Sequence, residues 1–154
     1  MKNLRVLINE LENKIPKQEF INNAISKSSV GWHIEHAFLT INVIIDALHK
    51  SDTIHYKWKF NFTRSLVFTI NQIPRGRVQS PKSVQPNENF TPDTLKKHFQ
   101  VTKGKLEELQ ELHPNKYFEH PFFGKLNVKP TIKFLEIHTR HHIKIIRDII
   151  GNSK

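Results

Sequence analysis

Between Pro130 and Gly151 the apolar side chains return at intervals of three and four, the period of an α-helix with one face turned to a core. Phe134, Leu135, Ile145, Ile146 and Ile149 share that face, and Lys133, Glu136, Arg140, Lys144 and Arg147 fall opposite. Within the stripe stand His138 and His142, one turn apart and stacked about 6 Å along the axis. A buried imidazole is costly unless both ring nitrogens find partners, and a metal ion is one such partner.

The same period governs most of the chain. Residues 2–15 place Leu4, Leu7, Ile8, Leu11 and Ile15 on one face, and Pro16 ends the pattern. A second helix is expected over 29–49, opened by Ser28 or Ser29 as N-cap. Its arc holds Val30, Ile34, Ala37, Phe38, Ile41, Ile44, Ala47 and Leu48, with Glu35, Asn42 and Asp46 opposite. Residues 57–73 are aromatic-rich; Phe60-Asn61-Phe62-Thr63 alternates like a strand, but a helix through Phe62, Leu66, Ile70 and Ile73 is preferred. A proline-rich stretch over 74–92 follows, a length of loop that is often functional when ordered. Thr91-Pro92 reads as an N-cap and first helical residue, and the helix over 92–112 carries Leu95, Phe99, Thr102, Leu106 and Leu109. Gly104 within it costs about 1 kcal/mol relative to alanine. A second loop runs from His113 to Lys129, Pro130 opens the last helix and Gly151 closes it. No strand-turn-strand signature and no repeat is evident. The expectation is an all-α fold: one domain over 1–154, a four-helix bundle with an additional short helix and two long loops.

Composition narrows the chemistry. Cysteine is absent, which excludes disulfides and thiolate metal sites. The N-terminal residues are too polar for a signal peptide and no apolar run reaches membrane-spanning length, so a soluble cytoplasmic protein without membrane contact is expected. Lys and Arg number 24 against 14 Asp and Glu, a formal charge of +10, but no block of five like charges occurs. Such an excess could attract nucleic acid, an anionic membrane or acidic small molecules, but its diffuse spread reads first as a solvated basic surface that speaks to solubility and steering, not fold.

Two histidines make an incomplete metal site, since catalytic centres of the zinc type commonly take three protein ligands and leave one position open. The second helix offers two candidates in Gly31-Trp32-His33-Ile34-Glu35-His36. His33 lies within the apolar arc and His36 at its border; periodicity slightly favours His33, and spacing does not decide. His141 lies to the flank, and His49, His55, His98 and His113 read as surface or helix-end residues.

Ser29-Val30-Gly31-Trp32-His33-Ile34-Glu35-His36 resembles the second-helix motif of the DinB-like (YfiT-like) superfamily, and His138-Thr139-Arg140-His141-His142 is similar to its last-helix His-x-x-x-His pair. His120-Pro121-Phe122-Phe123-Gly124-Lys125-Leu126 and Pro74-Arg75-Gly76-Arg77 resemble an uncharacterised branch of that superfamily. The resemblance runs from about residue 20 to 150. It implies an up-down-down-up four-helix bundle, a homodimer, and a divalent metal (zinc, nickel, iron or manganese) on His36, His138 and His142. On that basis His36 displaces His33, which falls where the family usually has an apolar residue. The superfamily also implies a small-molecule substrate and a low-molecular-weight thiol as co-substrate.

Two functions follow. In the first, a three-histidine ion activates a thiol or water for transfer or hydrolysis. Trp32, His33, His120, Arg75 and Arg77 are then candidate pocket residues, the arginines for a substrate carboxylate or phosphate. His120-Pro121 reads most simply as a turn, and Phe122 and Phe123 as core plugs. No general base is evident; Glu35 and Glu136 point away from the apolar face, toward solvent or lysines. In the second, the protein is a non-catalytic basic module binding an anionic partner such as nucleic acid through Arg64, Arg75, Arg77 and Lys82, although no nucleic-acid-binding motif is present.

Overall fold

The computed structural model describes residues 1–76, 80–87 and 90–151. Five helices dominate: α1 (Lys2–Glu12), α2 (Val30–Lys50), α3 (Phe62–Ile70), α4 (Pro92–Glu111) and α5 (Val128–Ile150). Helix α2 packs on α4 and α5, and α1 on α5 and α4, so the four longer helices form a closed ring of contacts with α3 against α5. Leu4, Ile8 and Leu11 of α1, Ile34, Phe38 and Ile41 of α2, Leu95 and Leu106 of α4, and Leu135 and Ile146 of α5 are fully or almost fully buried in one continuous core. No helix among the described residues is long and apolar enough to cross a membrane.

Local chemistry sets the helix ends. Ser29 caps α2 by accepting from the Trp32 backbone N–H at 3.2 Å, which decides between the two candidate serines. Thr91 and Thr94 close a reciprocal capping box on α4, with Pro92 at the first turn. Gly151 ends α5 in the left-handed region at φ 83°. Helix α5 begins at Val128, two residues before Pro130, because Pro130 still lies in the first turn, where its missing N–H has no intrahelical role.

Three expectations need correction. First, a small hairpin is present: β1 (Tyr117–His120) pairs antiparallel with β2 (Gly124–Asn127), Phe118 opposite Leu126 and His120 opposite Gly124. Phe118 and Leu126 turn inward onto the helices, and Gly124 takes φ +67°, a conformation that favours glycine. Second, α3 is shorter than expected, capped by Asn61 and ended by Asn71 at φ 58°. Its supposed core stripe is outside: Phe62, Leu66 and Ile70 are 71%, 47% and 54% exposed. Its buried residue is Arg64, whose guanidinium donates to the Lys59 and Phe123 carbonyls at 2.5 and 3.3 Å. Third, the polar side of α2 is enclosed by α4. Glu35 and Asn42 are buried there, and Glu35 pairs with His98 of α4 at 2.6 Å. Neither residue is the solvated group its position on a single helical wheel suggests.

Candidate metal centre

Helix α2 presents His36 and helix α5 presents His138 and His142 to the same point. One ring nitrogen of each lies within 4.8 Å of the others. His138 Nε2 is 3.3 Å from His36 Nε2 and 3.3 Å from His142 Nε2. In a tetrahedron, ligand atoms stand about 1.6 bond lengths apart, so zinc–nitrogen bonds of about 2.0–2.1 Å need nitrogens about 3.3 Å apart. Two of the three edges, both at His138, have that length, and the His36–His142 edge is within 4.8 Å.

The protons argue in the same direction. His36 Nδ1 lies 2.7 Å from the Val84 carbonyl, which can only accept; Nδ1 therefore carries the proton and Nε2 is a bare lone pair. His138 Nε2 faces two imidazole nitrogens at once. As acceptor it takes from one of them, and as donor it serves one fully or shares its proton weakly between two; no arrangement of protons on neutral rings gives both contacts a full hydrogen bond. One cation satisfies all three nitrogens.

Behind the triad, His33 Nδ1 sits 3.0 Å from His142 Nδ1, and His33 Nε2 sits 3.0 Å from Ser26 Oγ. Two proton patterns fit this chain. In one, His142 Nδ1–H donates to His33, His33 Nε2–H donates to Ser26, and His142 Nε2 is bare. In the other, Ser26 donates to His33, His33 Nδ1–H donates to His142, and His142 Nε2 is protonated. A cation at the triad selects the first. Trp32 stacks on His36, ring centres 5.0 Å apart and nearly parallel, and meets His33 edge-on at 5.3 Å.

Burial keeps these imidazoles neutral. It pushes His138 and His142 well below the usual histidine range, with the neighbouring imidazoles adding to the effect. His33 falls to about 3, first through burial and then through His36, His141 and Arg75. His36 falls through burial, partly offset by its bond to Val84. Neutral imidazole is the form that ligates.

The other expected pocket residues are not ligands of the triad; His120 and His138 share contact with the Phe134 ring, and His120 adds to the lowering of the His138 pKa. His120 belongs to the hairpin turn: its Nδ1 accepts from the Phe122 and Phe123 backbone N–H groups at 3.1 and 3.3 Å, and its ring stacks on Phe123 at 4.2 Å. Burial lowers its pKa to about 4. Phe123 is a core plug as expected, but Phe122 is 51% exposed. Arg75 pairs with Asp148 at 2.6 Å, and Arg77 lies outside the described residues. The basic patch envisaged for nucleic acid loses Arg64, which is buried under α3.

Sequence reasoning placed His33 beside the metal as a pocket residue but not as the partner of His142, and it missed Ser26 and the Val84 carbonyl. The signal for His33 was its presence on the apolar arc beside His36. Val84 carried none, because any residue supplies a carbonyl and only the path of the proline-rich loop brings this one to His36. Comparison with family models, curated proteins and solved structures returns no match for this chain. The fold and site therefore define a class: a mostly helical protein with a clustered three-histidine group able to hold a metal ion.

Proposed function

We propose that this protein is a metal-dependent enzyme of the DinB-like kind, built on an up-down-down-up four-helix bundle, that holds one divalent cation on His36, His138 and His142. The observation that carries the reading is the pair of 3.3 Å Nε2–Nε2 distances around His138. The closed ring of contacts among α1, α5, α2 and α4 supports the bundle.

Three neutral ligands leave the ion its full charge, and such a centre lowers the pKa of water or a thiol brought to its open position. The chain's own residues prepare it. Val84 holds His36 in the tautomer that exposes Nε2, and His33 does the same for His142 when the His142 proton points at it. Trp32 covers one face of His36 and restricts the ring's rotation. We assign the substrate to the small molecules, with a low-molecular-weight thiol as co-substrate and transfer or hydrolysis as the reaction.

Elemental analysis of purified untagged protein tests the centre. Close to one zinc, nickel, iron or manganese per chain is expected, lost in His36→Ala, His138→Ala and His142→Ala. Metal retained in all three variants refutes the ligand set. Thiol transfer by the metal-loaded protein, assayed with bacillithiol and glutathione, tests the reaction separately.

A further inference from the structure

Beside the triad, on the neighbouring face of α5, a cavity of about 280 Å³ opens between the helix and the segment that follows α3. Its charged lining is one-sided: Arg75, Arg140 and Lys144 bring three cations, and the acid at its margin is Asp148, already 2.6 Å from Arg75. Two net positive charges therefore face the space. His141 also lines it.

Arg140 gives the cavity its direction. Among the described residues its Nη1 is buried without a hydrogen-bond partner, and the Asn71 Oδ1, also on the cavity wall, is likewise buried and unpartnered. Guanidinium N–H groups withdrawn from water without an acceptor are expensive, and a buried polar atom of this kind signals a missing ligand, water or ion. Glu136, one turn away on α5, lies 3.7 Å from the N-terminal amine and forms no ion pair with Arg140. A planar guanidinium and an ammonium one helical turn apart match the fork and point-charge recognition of phosphate. The two net charges equal those of a phosphate monoester, which is close to doubly ionised at neutral pH.

We propose that this cavity is a phosphate-binding site for a small phosphomonoester, with Arg140 and Lys144 as the groups that contact the phosphate and Asn71 accepting from its bound organic part or hydroxyl. The site uses none of the three triad histidines and does not depend on the metal reading.

Calorimetric titration with inorganic phosphate, at constant ionic strength, on metal-loaded and chelator-stripped protein provides the test. Saturable binding that survives stripping is expected, with affinity at least tenfold lower in Lys144→Gln and Arg140→Gln. Lys144 is exposed, so its substitution leaves the fold intact. Arg140→Lys, which keeps the charge but not the fork, should fall between wild type and Arg140→Gln. Glycerol phosphate should bind at least as tightly as inorganic phosphate, and acetate at least tenfold more weakly. Absent binding, binding that vanishes with the metal, equal affinity in Lys144→Gln, equal affinity for acetate, or exclusion of glycerol phosphate would each overturn the proposal.

Discussion

Mild acid should destabilise the metal-free protein by an amount set by its buried histidines. His33 and His120 have folded pKa values of about 3 and about 4, against 6.5 for the unfolded chain. Between these limits the unfolded state binds more protons than the folded state, so stability rises with pH and is lost as pH falls below 6.5. From pH 7.5 to 5.5, protonation of an unfolded imidazole favours unfolding tenfold, or about 1.4 kcal/mol per group. The two together give about 3 kcal/mol, a large part of the 5–15 kcal/mol typical of a domain. His138 and His142, held well below the usual range, act in the same direction. Urea denaturation followed by circular dichroism at the two pH values measures the difference. His120→Asn supplies the internal control, because asparagine can accept from backbone N–H groups two and three residues on, as His120 does, but does not titrate. The variant should lose about 1.4 kcal/mol less than wild type over the same interval. Stability that is flat or higher at pH 5.5 refutes the neutral, buried placement of these rings.

His33→Leu should weaken metal affinity by about 10–100-fold while His33→Asn, which can accept from His142 through its side-chain oxygen, recovers part of the loss; the visible spectrum of the cobalt-loaded protein reads both affinity and geometry. Equal affinity in all three proteins would remove His33 from the centre. Gly31 lies against Phe90 and Gln18, and an added Cβ would clash with the Phe90 ring and stand 3.1 Å from Gln18 Cβ. Gly31→Ala alone should destabilise by about 1 kcal/mol despite its better helix propensity, and a Phe90→Ala background should remove most of that penalty while the Gln18 contact keeps the remainder, a coupling that thermal unfolding can detect. Phe38→Ala, at a fully buried side chain between α2 and α4, should cost about 3–5 kcal/mol in chemical denaturation.

The helical elements were legible because their apolar period is long enough to count. Helices α2, α4 and α5 each span 20 or more residues, and serine, threonine and glycine mark their ends. The hairpin was not legible because each strand has four residues and contributes one buried side chain, Phe118 or Leu126, too few to establish alternation. Helix α3 misled because an apolar stripe says only that one face is sticky; in this fold Val67 and Phe68 pack on the core, and Arg64 and Phe68 meet Phe123 of the hairpin turn. Glu35 misled for a related reason. A helix at the centre of a bundle has neighbours on more than one side, so its polar face can be buried against a partner such as His98. The convergence of the three histidines was implied by resemblance, while the Nε2 spacing and the hydrogen bonds behind the rings required the folded chain.

Those outer hydrogen bonds decide what the centre is suited to hold. Metal-bound histidines commonly donate to a carboxylate, which raises their basicity and reduces the effective charge of the ion. Here the partners of His36 and His142 are a carbonyl and a second imidazole, both neutral. Arg75 adds positive potential felt at His33. A divalent cation bound to this triad would keep most of its charge and favour an anion at its open position, a thiolate over a neutral thiol. The substitution His33→Glu places a carboxyl group behind His142 and tests this directly. Ionised there, the introduced carboxylate should tighten the ion itself and weaken inhibitory binding of azide or thiocyanate to the loaded protein by several-fold. Unchanged anion affinity together with tighter metal binding would show that the neutral outer shell does not set the centre's preference for anions.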